Sequence, residues 1–395
     1  MLSLLKKVKK QILFTPFIYG KILPESDIFI LTWVTSCENC LSVIKKQSDP
    51  YWGNLIGDLI QKGKKPQLIL QLLFSPSKKE LDLLLEHQCL VLNPHGFISL
   101  RSLLLSICYS FTTLSKAIFN FKRIDTFFYF LASFINYRTI LSLSTYRHCK
   151  NSFKNIIEGK KILIPWEGQP EQRAICLAAQ ESGANIFGYI HSSLTNNPLF
   201  AGRYIAGNSN FKKAFPKHLF IHGRDHQEIL AQIGHTPQET LLIQSARYHT
   251  KRTKNDLEGK LFLPYGLQSA QEILLLAKEL ILSNALQCSS IVLHPVFRNH
   301  PLLKKIVESI PLNRNATEII VGGFSTIIFE ALESGYSVYQ LVHHADQLVT
   351  TQVYPSVQTK KITDHLYHIS GQPHSSGAFI LYDWPKTILD HLNKS

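Results

Sequence analysis

The sequence predicts an α/β protein made of two Rossmann-like, doubly wound domains. Three observations lead to this fold class. The 395 residues suffice for two domains at roughly 150 residues each. A hydrophobic fraction of 45% allows a large buried core. Short apolar runs alternate with amphipathic segments along most of the chain, which is typical of a mainly parallel sheet with helices on both faces.

The N-terminal domain is predicted to span residues 1–250. Continuous apolar runs indicate buried strands, and segments with helical periodicity indicate the helices between them. Pro170 favours a helix start, and Gly183 and Gly234 favour helix ends. The predicted strands cover 28–34, 67–73, 90–92, 161–165, 184–190, 219–222 and 240–244, and the predicted helices cover 53–61, 78–87, 170–180 and 224–233.

The C-terminal domain is predicted to span residues 251–395, with the polar stretch 248–259 as the linker before its first strand. Ser269 and Glu272 have the spacing of a capping box, which predicts a helix start at Ser269. The last helix is expected to return to the N-terminal domain. The predicted strands cover 261–263, 291–293, 318–321 and 338–342, and the predicted helices cover 269–282, 302–310 and 326–333.

An apolar helical insertion is expected near residues 100–147. Its longest run without charge covers 102–115, which is 14 residues. A membrane-spanning helix needs roughly 20. Lysines and arginines interrupt the rest of the insertion, and such a mixture suits a surface that rests on anionic lipid. A buried helical hairpin explains the same composition.

Charge is sparse and one-sided: 18% of residues are charged, and the formal net charge is +14. This balance indicates an anionic partner, which could be nucleic acid, phospholipid headgroups or a phosphorylated substrate. Residues 1–150 hold 19 basic and 9 acidic side chains, whereas residues 251–395 hold 13 and 12. The surplus therefore belongs to the N-terminal region. No nucleic-acid-binding motif accompanies it, so an anionic membrane surface is expected as partner and nucleic acid is not.

Seven scattered cysteines indicate reduced thiols and a cytoplasmic protein. Cys37 and Cys40 form a lone CxxC with no second pair to complete a zinc site, so no metal site is expected. The first ten residues are interrupted by lysines and do not resemble a secretory signal.

Ligands of doubly wound sheets bind beyond the carboxyl ends of the strands, so polar residues at those ends are candidate site residues. Gly322 and Gly323 allow close approach of a ligand to the backbone, and Ser325 is predicted to cap a helix whose N–H groups and neighbouring hydroxyls face a phosphate. A plain capped helix is the alternative.

His294 follows the strand 291–293, and Pro295 fixes the chain direction there. Its imidazole could donate to the same phosphate, although a packed histidine is an ordinary alternative. Tyr265 and Gly266 follow the strand 261–263 and would complete a nucleotide crevice. The chain has neither a GxGxxG nor a GxxxxGK[ST] motif, which disfavours nicotinamide-dependent dehydrogenases and P-loop NTPases.

Glu167 follows the strand 161–165 in the other domain. Its Trp- and Pro-flanked setting is expected to raise the pKa of the carboxyl and make it a general base. Arg173 could instead hold Glu167 ionised as a structural ion pair. Two such domains with nucleotide features in the second match the plan of a GT-B glycosyltransferase, in which the domains face a cleft.

Several short blocks resemble proteins of bacterial surface-carbohydrate (O-antigen type) biosynthesis. These blocks are Asp49-Pro50-Tyr51-Trp52-Gly53-Asn54, Ile164-Pro165-Trp166-Glu167-Gly168-Gln169-Pro170-Glu171-Gln172-Arg173, Gly188-Tyr189-Ile190-His191-Ser192-Ser193 and residues 322–330. The His294-Pro295 and Ser325-Thr326 pairs are similar to motifs of GT-B sialyltransferases that use CMP-activated sugars. Glu167-Gly168 matches the last two positions of their acidic motif, and Trp166 replaces its first acid.

This resemblance implies site residues of three kinds. The catalytic residues would be Glu167, as base, and His294. The donor-binding residues would be Tyr265, Gly266, His294, Pro295, Gly322, Gly323, Ser325, Thr326 and Glu330. The acceptor-binding residues would be Trp52, Gly53, His191, Ser192 and Arg173.

The expected function is metal-independent, inverting transfer of a sugar to a surface polysaccharide or a lipid-linked oligosaccharide. The donor would be a nucleotide sugar, with a CMP-activated nonulosonate favoured, and no further cofactor is expected. The enzyme would act in the cytoplasm, at the inner face of the cytoplasmic membrane. The alternatives are a UDP- or GDP-sugar transferase of the same fold, a non-catalytic scaffold of that fold, and a nucleic-acid-binding protein.

Overall fold

The computed structural model describes residues 18–92, 137–154, 157–192, 194, 213–236, 239–248, 250–294, 297–344, 346–372, 377–383 and 385–392. The chain divides into two compact units. The N-terminal unit comprises residues 1–189 and 199–220, and the C-terminal unit comprises residues 190–198 and 221–395. The second unit thus begins before the domain boundary expected at 250/251, which stays a prediction.

The N-terminal unit is an α/β unit whose own strands lie side by side in the order β1-β4-β3-β2-β5-β6-β7. Neighbouring strands are parallel except the short edge pair β1 and β4. Among the described residues, helices connect β2 to β3, β3 to β4, β4 to β5 and β5 to β6, as parallel pairing requires. The strands are β1 (Ile18–Tyr19), β2 (Ile28–Val34), β3 (Pro66–Leu72), β4 (Leu90–Leu92), β5 (Lys161–Pro165), β6 (Asn185–Tyr189) and β7 (His218–Ile221). The helices are α1 (Cys37–Lys46), α2 (Leu55–Gln61), α3 (Lys78–Glu86), α4 (Tyr137–Phe153) and α5 (Pro170–Glu181).

The central strands of this sheet are buried along nearly their whole length. Six of the seven residues of β2 are buried, as are six of the seven of β3. Continuous burial is expected of parallel strands that are covered on both faces. Ser77 and Glu80 form a capping box at the start of α3, and Pro170 occupies the first turn of α5.

The C-terminal unit has a six-stranded sheet of order β10-β9-β11-β12-β14-β13. The first four strands are parallel, and β14 runs antiparallel to both of its neighbours. The strands of the unit are β8 (Thr240–Leu242), β9 (Lys260–Phe262), β10 (Ser290–Val292), β11 (Ile320–Gly322), β12 (Val338–Leu341), β13 (Val357–Lys361) and β14 (Leu366–Gly371). The helices are α6 (Arg224–Gln232), α7 (Lys254–Leu257), α8 (Leu267–Leu282), α9 (Pro301–Glu308), α10 (Ile327–Glu333), α11 (Asp346–Gln352) and α12 (Ile388–Leu392).

The predicted α/β class with two mainly parallel sheets is confirmed, and most predicted strands and helices lie within two residues of the observed ones. The helix start at Ser269 is wrong, because α8 begins at Leu267 with Gly266 as its N-cap. The linker over 248–259 contains the short helix α7. The cleft between the domains and the return of the last helix stay predictions.

The apolar insertion near 100–147 lies largely outside the described residues, which resume at 137 with α4. Among the helices that the structure does describe, none combines the length and the apolar character needed to cross a bilayer.

Candidate functional site

The order of the C-terminal sheet creates a switch point at the carboxyl ends of β9 and β11. These adjacent strands are parallel, and Ile320 of β11 pairs with Leu261 of β9. The chain leaves β9 through α8 toward β10 on one side, and leaves β11 through α10 toward β12 on the other. Loops that diverge in this way open a crevice, which is the usual ligand position in doubly wound sheets. The candidate donor-binding residues at 265–266 and 323–326 lie in these two loops.

The two glycines at the carboxyl end of β11 have different roles. Gly323 has φ +60°, a left-handed conformation that favours glycine, and its N–H donates to the Leu341 carbonyl over 2.7 Å. A side chain at Gly322 would overlap Ile273 of α8, so this glycine permits close packing of helix on strand. The buried Gln340 amide donates to the Gly323 carbonyl over 2.8 Å and holds the loop in place.

The hydroxyls of Ser325 and Thr326 do not cap the helix as predicted. The N-cap of α10 is Thr326 rather than Ser325, and its side chain makes no capping hydrogen bond. Ser325 Oγ lies 3.5 Å from the Ile327 nitrogen, at the limit of a hydrogen bond. Both residues are half-buried. The Ser325 hydroxyl is therefore little used within the fold, whereas the Thr326 side chain interacts with the buried Tyr248.

His294 lies beside the loop after β9. Its ring centroid is 5.2 Å from that of Tyr265, in an edge-to-face arrangement, and Phe297 completes the aromatic group. Burial and the positive charge of Arg247 lower the pKa of His294. The imidazole is therefore neutral near pH 7 and can donate one hydrogen bond. Tyr265 is 72% exposed, and Pro295 lies outside the described residues.

Arg247 is a cation of this region that the sequence did not single out. Its guanidinium donates to the carbonyl of His191 over 3.3 Å and lies 5.1 Å from the ring centroid of Tyr248. Within the described part of the chain, no carboxylate lies within salt-bridge distance of Arg247. A half-buried arginine without an acidic partner beside a neutral histidine is suited to receive an anion.

Glu330 on α10 is buried and already paired. One of its carboxylate oxygens accepts from Arg252 Nε over 2.7 Å. The contact joins α10 to the segment before α7, 78 residues earlier in the chain. Its assignment to donor binding stays a prediction.

His191 and Ser192 follow β6 and belong to the C-terminal unit. His191 is 2% exposed and Ser192 is half-buried, while Ser193 lies outside the described residues. The buried His191 holds Arg247 through its backbone carbonyl. His191 therefore helps to position the Arg247 guanidinium. Its contact with an acceptor stays a prediction.

In the N-terminal unit, Glu167 lies where β5 ends and is half-buried. Its N–H donates to Gln172 Oε1 over 3.0 Å, which fixes the turn between β5 and α5. Arg173 Nε donates to the Gly168 carbonyl over 3.1 Å, and its guanidinium lies 4.7 Å from the ring centroid of Phe215. Burial lowers the pKa of Arg173. The hydrogen bonds to Gln172 and from Arg173 fix the backbone around Glu167.

Trp52 is part of the core of the N-terminal unit. Its side chain is fully buried, and its indole N–H donates to the Leu31 carbonyl over 2.8 Å. Gly53 pairs with Asp49 in an antiparallel bridge. This packing gives Trp52 a structural role, and acceptor binding by Trp52 and Gly53 stays a prediction.

Glu333, at the end of α10, is a buried carboxylate that organises the backbone of the C-terminal unit. It accepts hydrogen bonds from the N–H groups of Gly377, Phe379 and Ile380 over 2.5, 3.1 and 3.3 Å. Burial raises the pKa of Glu333, and the three N–H groups oppose that rise.

We expect Glu333→Ala to lower the free energy of unfolding by about 3 kcal/mol, because it leaves buried N–H groups without acceptors. The exposed Glu308 on α9 provides the control, since Glu308→Ala should change stability by less than about 0.5 kcal/mol. Urea denaturation followed by circular dichroism measures both values. Equal stabilities of the two variants would contradict this role of Glu333.

No protein-family model matches the chain, and no curated protein matches it. Among solved structures, it is similar to a putative UDP-N-acetylglucosamine 2-epimerase from Listeria monocytogenes, with a TM-score of 0.41, 11% identity, and coverage of 81% of this chain and 80% of that one. The S. aureus MnaA–UDP complex gives 0.40, 12%, 79% and 78%. The UDP-GlcNAc 2-epimerase from Neisseria meningitidis bound to UDP-GlcNAc gives 0.34, 12%, 78% and 80%. At these TM-scores, the fold of this chain rests on its own sheets and helices.

Proposed function

We propose that this chain is a glycosyltransferase that binds a nucleotide-sugar donor at the carboxyl edge of the C-terminal sheet. The observation that carries the proposal is the switch point between β9 and β11, with Arg247 and His294 beside it. A crevice at diverging loops, with a cation that no described carboxylate neutralises, fits an anionic ligand held against the backbone.

Each group at this edge has a proposed task in donor binding. The exposed ring of Tyr265 stacks on the base. Arg247 and the neutral His294 donate to the phosphate, and the hydroxyls of Ser325 and Thr326 supply further donors. These groups stabilise the negative charge that develops on the nucleotide as the glycosidic bond breaks.

The resemblance to CMP-dependent transferases favours a CMP-activated acidic sugar as donor and direct displacement with inversion, without a metal in the chemical step. Glu167 of the N-terminal unit is proposed to take the proton of the acceptor hydroxyl. A surface polysaccharide or lipid-linked oligosaccharide is the proposed acceptor. The basic surplus of residues 1–150 supports a place at the cytoplasmic face of an anionic membrane.

Donor binding is tested with CMP, UDP and GDP by thermal shift and isothermal titration calorimetry. A nucleotide at one hundred times its Kd should stabilise the protein by about 2.7 kcal/mol. Arg247→Ala and His294→Ala should each weaken binding about tenfold or more, because each removes a phosphate donor. His87→Ala, an exposed histidine at the end of α3, should leave binding unchanged.

The proposal fails if none of the three nucleotides binds. It also fails if Arg247→Ala and His294→Ala bind the nucleotide as tightly as the wild type does. Tight binding of DNA or RNA at physiological salt, together with no nucleotide binding, would favour the nucleic-acid alternative.

A further inference from the structure

Two adjacent histidines and a glutamate converge just beyond the carboxyl end of β12. His343 and His344 follow the strand, and Glu272 lies on α8, 71 and 72 residues earlier. His343 Nδ1 lies 3.0 Å from His344 Nε2, and Glu272 Oε2 lies 3.8 and 3.7 Å from these two nitrogens. All three residues belong to the C-terminal unit and reach solvent.

The separations of these three atoms fit a common metal ion. A point equidistant from atoms 3.0, 3.7 and 3.8 Å apart lies about 2 Å from each of them, which is the length of Zn–N and Zn–O bonds. Two imidazoles with one carboxylate form a donor set that zinc prefers, and three protein ligands leave a fourth position for water.

The ligand-bearing segments are held by neighbouring amides. Gln268 Nε2 donates to Glu272 Oε1 over 2.9 Å, which leaves Oε2 turned toward the imidazoles. Gln347 Oε1 accepts from the backbone N–H groups of His343 and His344 over 2.9 and 3.4 Å. Outer contacts of this kind orient the ligands of a metal site before the metal arrives.

We propose that Glu272, His343 and His344 bind a Zn²⁺ ion that links α8 to the loop after β12. These two segments flank the loop that follows β11, because β11 lies between β9 and β12 in the sheet. The ion therefore stabilises the carboxyl edge of the sheet. A zinc ion at this place differs from the sequence-based expectation of no metal site, and it does not depend on the proposed transferase activity.

The site is tested on the tag-free, metal-stripped 395-residue chain by calorimetry with Zn²⁺ and by the absorption spectrum with Co²⁺. We expect saturable binding of a single ion per chain, a Co²⁺ spectrum of four-coordinate nitrogen and oxygen ligation, and a higher Tm in Zn²⁺. His343→Ala, His344→Ala and Glu272→Gln should each weaken binding about tenfold or more. His87→Ala should bind Zn²⁺ like the wild type.

Thermal melting of each variant without metal separates a loss of metal binding from a loss of folding. The three ligand side chains are partly or largely exposed, so their substitution should leave the metal-free Tm unchanged. Gln347→Ala keeps all three ligands but removes the acceptor of the His343 and His344 N–H groups. It should therefore weaken Zn²⁺ binding less than the ligand variants do. The proposal is overturned if Zn²⁺ does not bind saturably, if the ligand variants bind it as the wild type does, or if Co²⁺ shows a thiolate charge-transfer band, which would assign the metal to the cysteines. Nucleotide binding is measured separately, so its failure would leave this result standing.

Discussion

Glu167→Gln is expected to lower turnover about a thousandfold while leaving nucleotide affinity unchanged. A general base contributes roughly 10²–10⁴ to the rate of proton transfer, and the amide keeps the size of the side chain but cannot accept the proton. Turnover is measured as release of the nucleotide from a CMP-sugar, with and without membrane lipid extract as acceptor. The proposed nucleotide site lies in the C-terminal unit and Glu167 lies in the N-terminal unit, which is why we expect the two effects to separate.

Glu171 provides the matched control for this prediction. It lies in the first turn of α5, four residues after Glu167, and is half-buried as Glu167 is. Glu171→Gln should retain close to full turnover. His294→Ala, in contrast, should lose both donor affinity and turnover. Full activity in both Glu167→Gln and His294→Ala would sink the catalytic assignment.

The parallel strands could be predicted because both of their faces are buried. A strand such as β2 then appears as an unbroken apolar run, and its predicted bounds 28–34 match the structure. Helix starts were harder to predict. Ser269 has the spacing of a capping box, yet the chain enters α8 at Gly266, whose φ of +122° directs the backbone into the helix two residues earlier.

The antiparallel hairpin of β13 and β14 was not predicted. Its strand β13 (Val-Gln-Thr-Lys-Lys) contains one apolar residue, and none of its five residues is buried, so the sequence has no hydrophobic period there. An exposed edge strand is stabilised mainly by its backbone pairing with β14, which side-chain patterns do not report.

The site followed the same division. The positions of Tyr265, His294 and Gly323 beyond the ends of their strands could be predicted because carboxyl ends of strands are recognisable from the strands themselves. Arg247, Gln340 and the Glu272–His343–His344 group were missed because their partners are far away in the chain. Gln340, for example, acts on a carbonyl 17 residues earlier, and Glu272 meets imidazoles more than 70 residues later. Such pairs are set by the order of the strands, which single-sequence periodicity does not determine.

Mild acid is expected to open the C-terminal unit through two histidines, His222 directly after β7 and His226 on α6. His222 and His226 are each 2% exposed, and their ring centroids are 5.0 Å apart. Burial lowers the pKa of His226 to about 3. Burial, with the positive charges of His226, His191 and Arg247, lowers the pKa of His222 well below its ordinary value. The folded state therefore keeps both rings neutral.

The sign of the effect follows from proton binding in the two states. Unfolded histidines take up protons below about pH 6.5. The folded rings do not, so the stability that is fully present above pH 6.5 falls as the pH decreases toward the folded pKa values. His226, whose folded pKa is about 3, then costs about 1.4 kcal/mol per pH unit, or about 2 kcal/mol between pH 6.5 and 5, and His222 acts in the same direction. Burial also raises the pKa of Asp225 and Glu333, and these carboxyls oppose the loss by gaining protons in the folded state.

Hydrogen–deuterium exchange of the α6 amides at about pH 7 and about pH 5, corrected for the intrinsic rate, measures this loss locally. We expect protection in α6 to fall with acid in the wild type and to change much less in a His222→Gln/His226→Gln variant, whose amides do not titrate. The conservative double substitution is needed because Tyr354 Oη lies 3.4 Å from His226 Nε2, so an apolar replacement would also remove that contact. His87→Gln, which replaces an exposed histidine of the N-terminal unit, should reproduce the wild-type pH response of α6. Equal pH responses of the wild type and the double variant would mean that other groups, and not these rings, control acid stability.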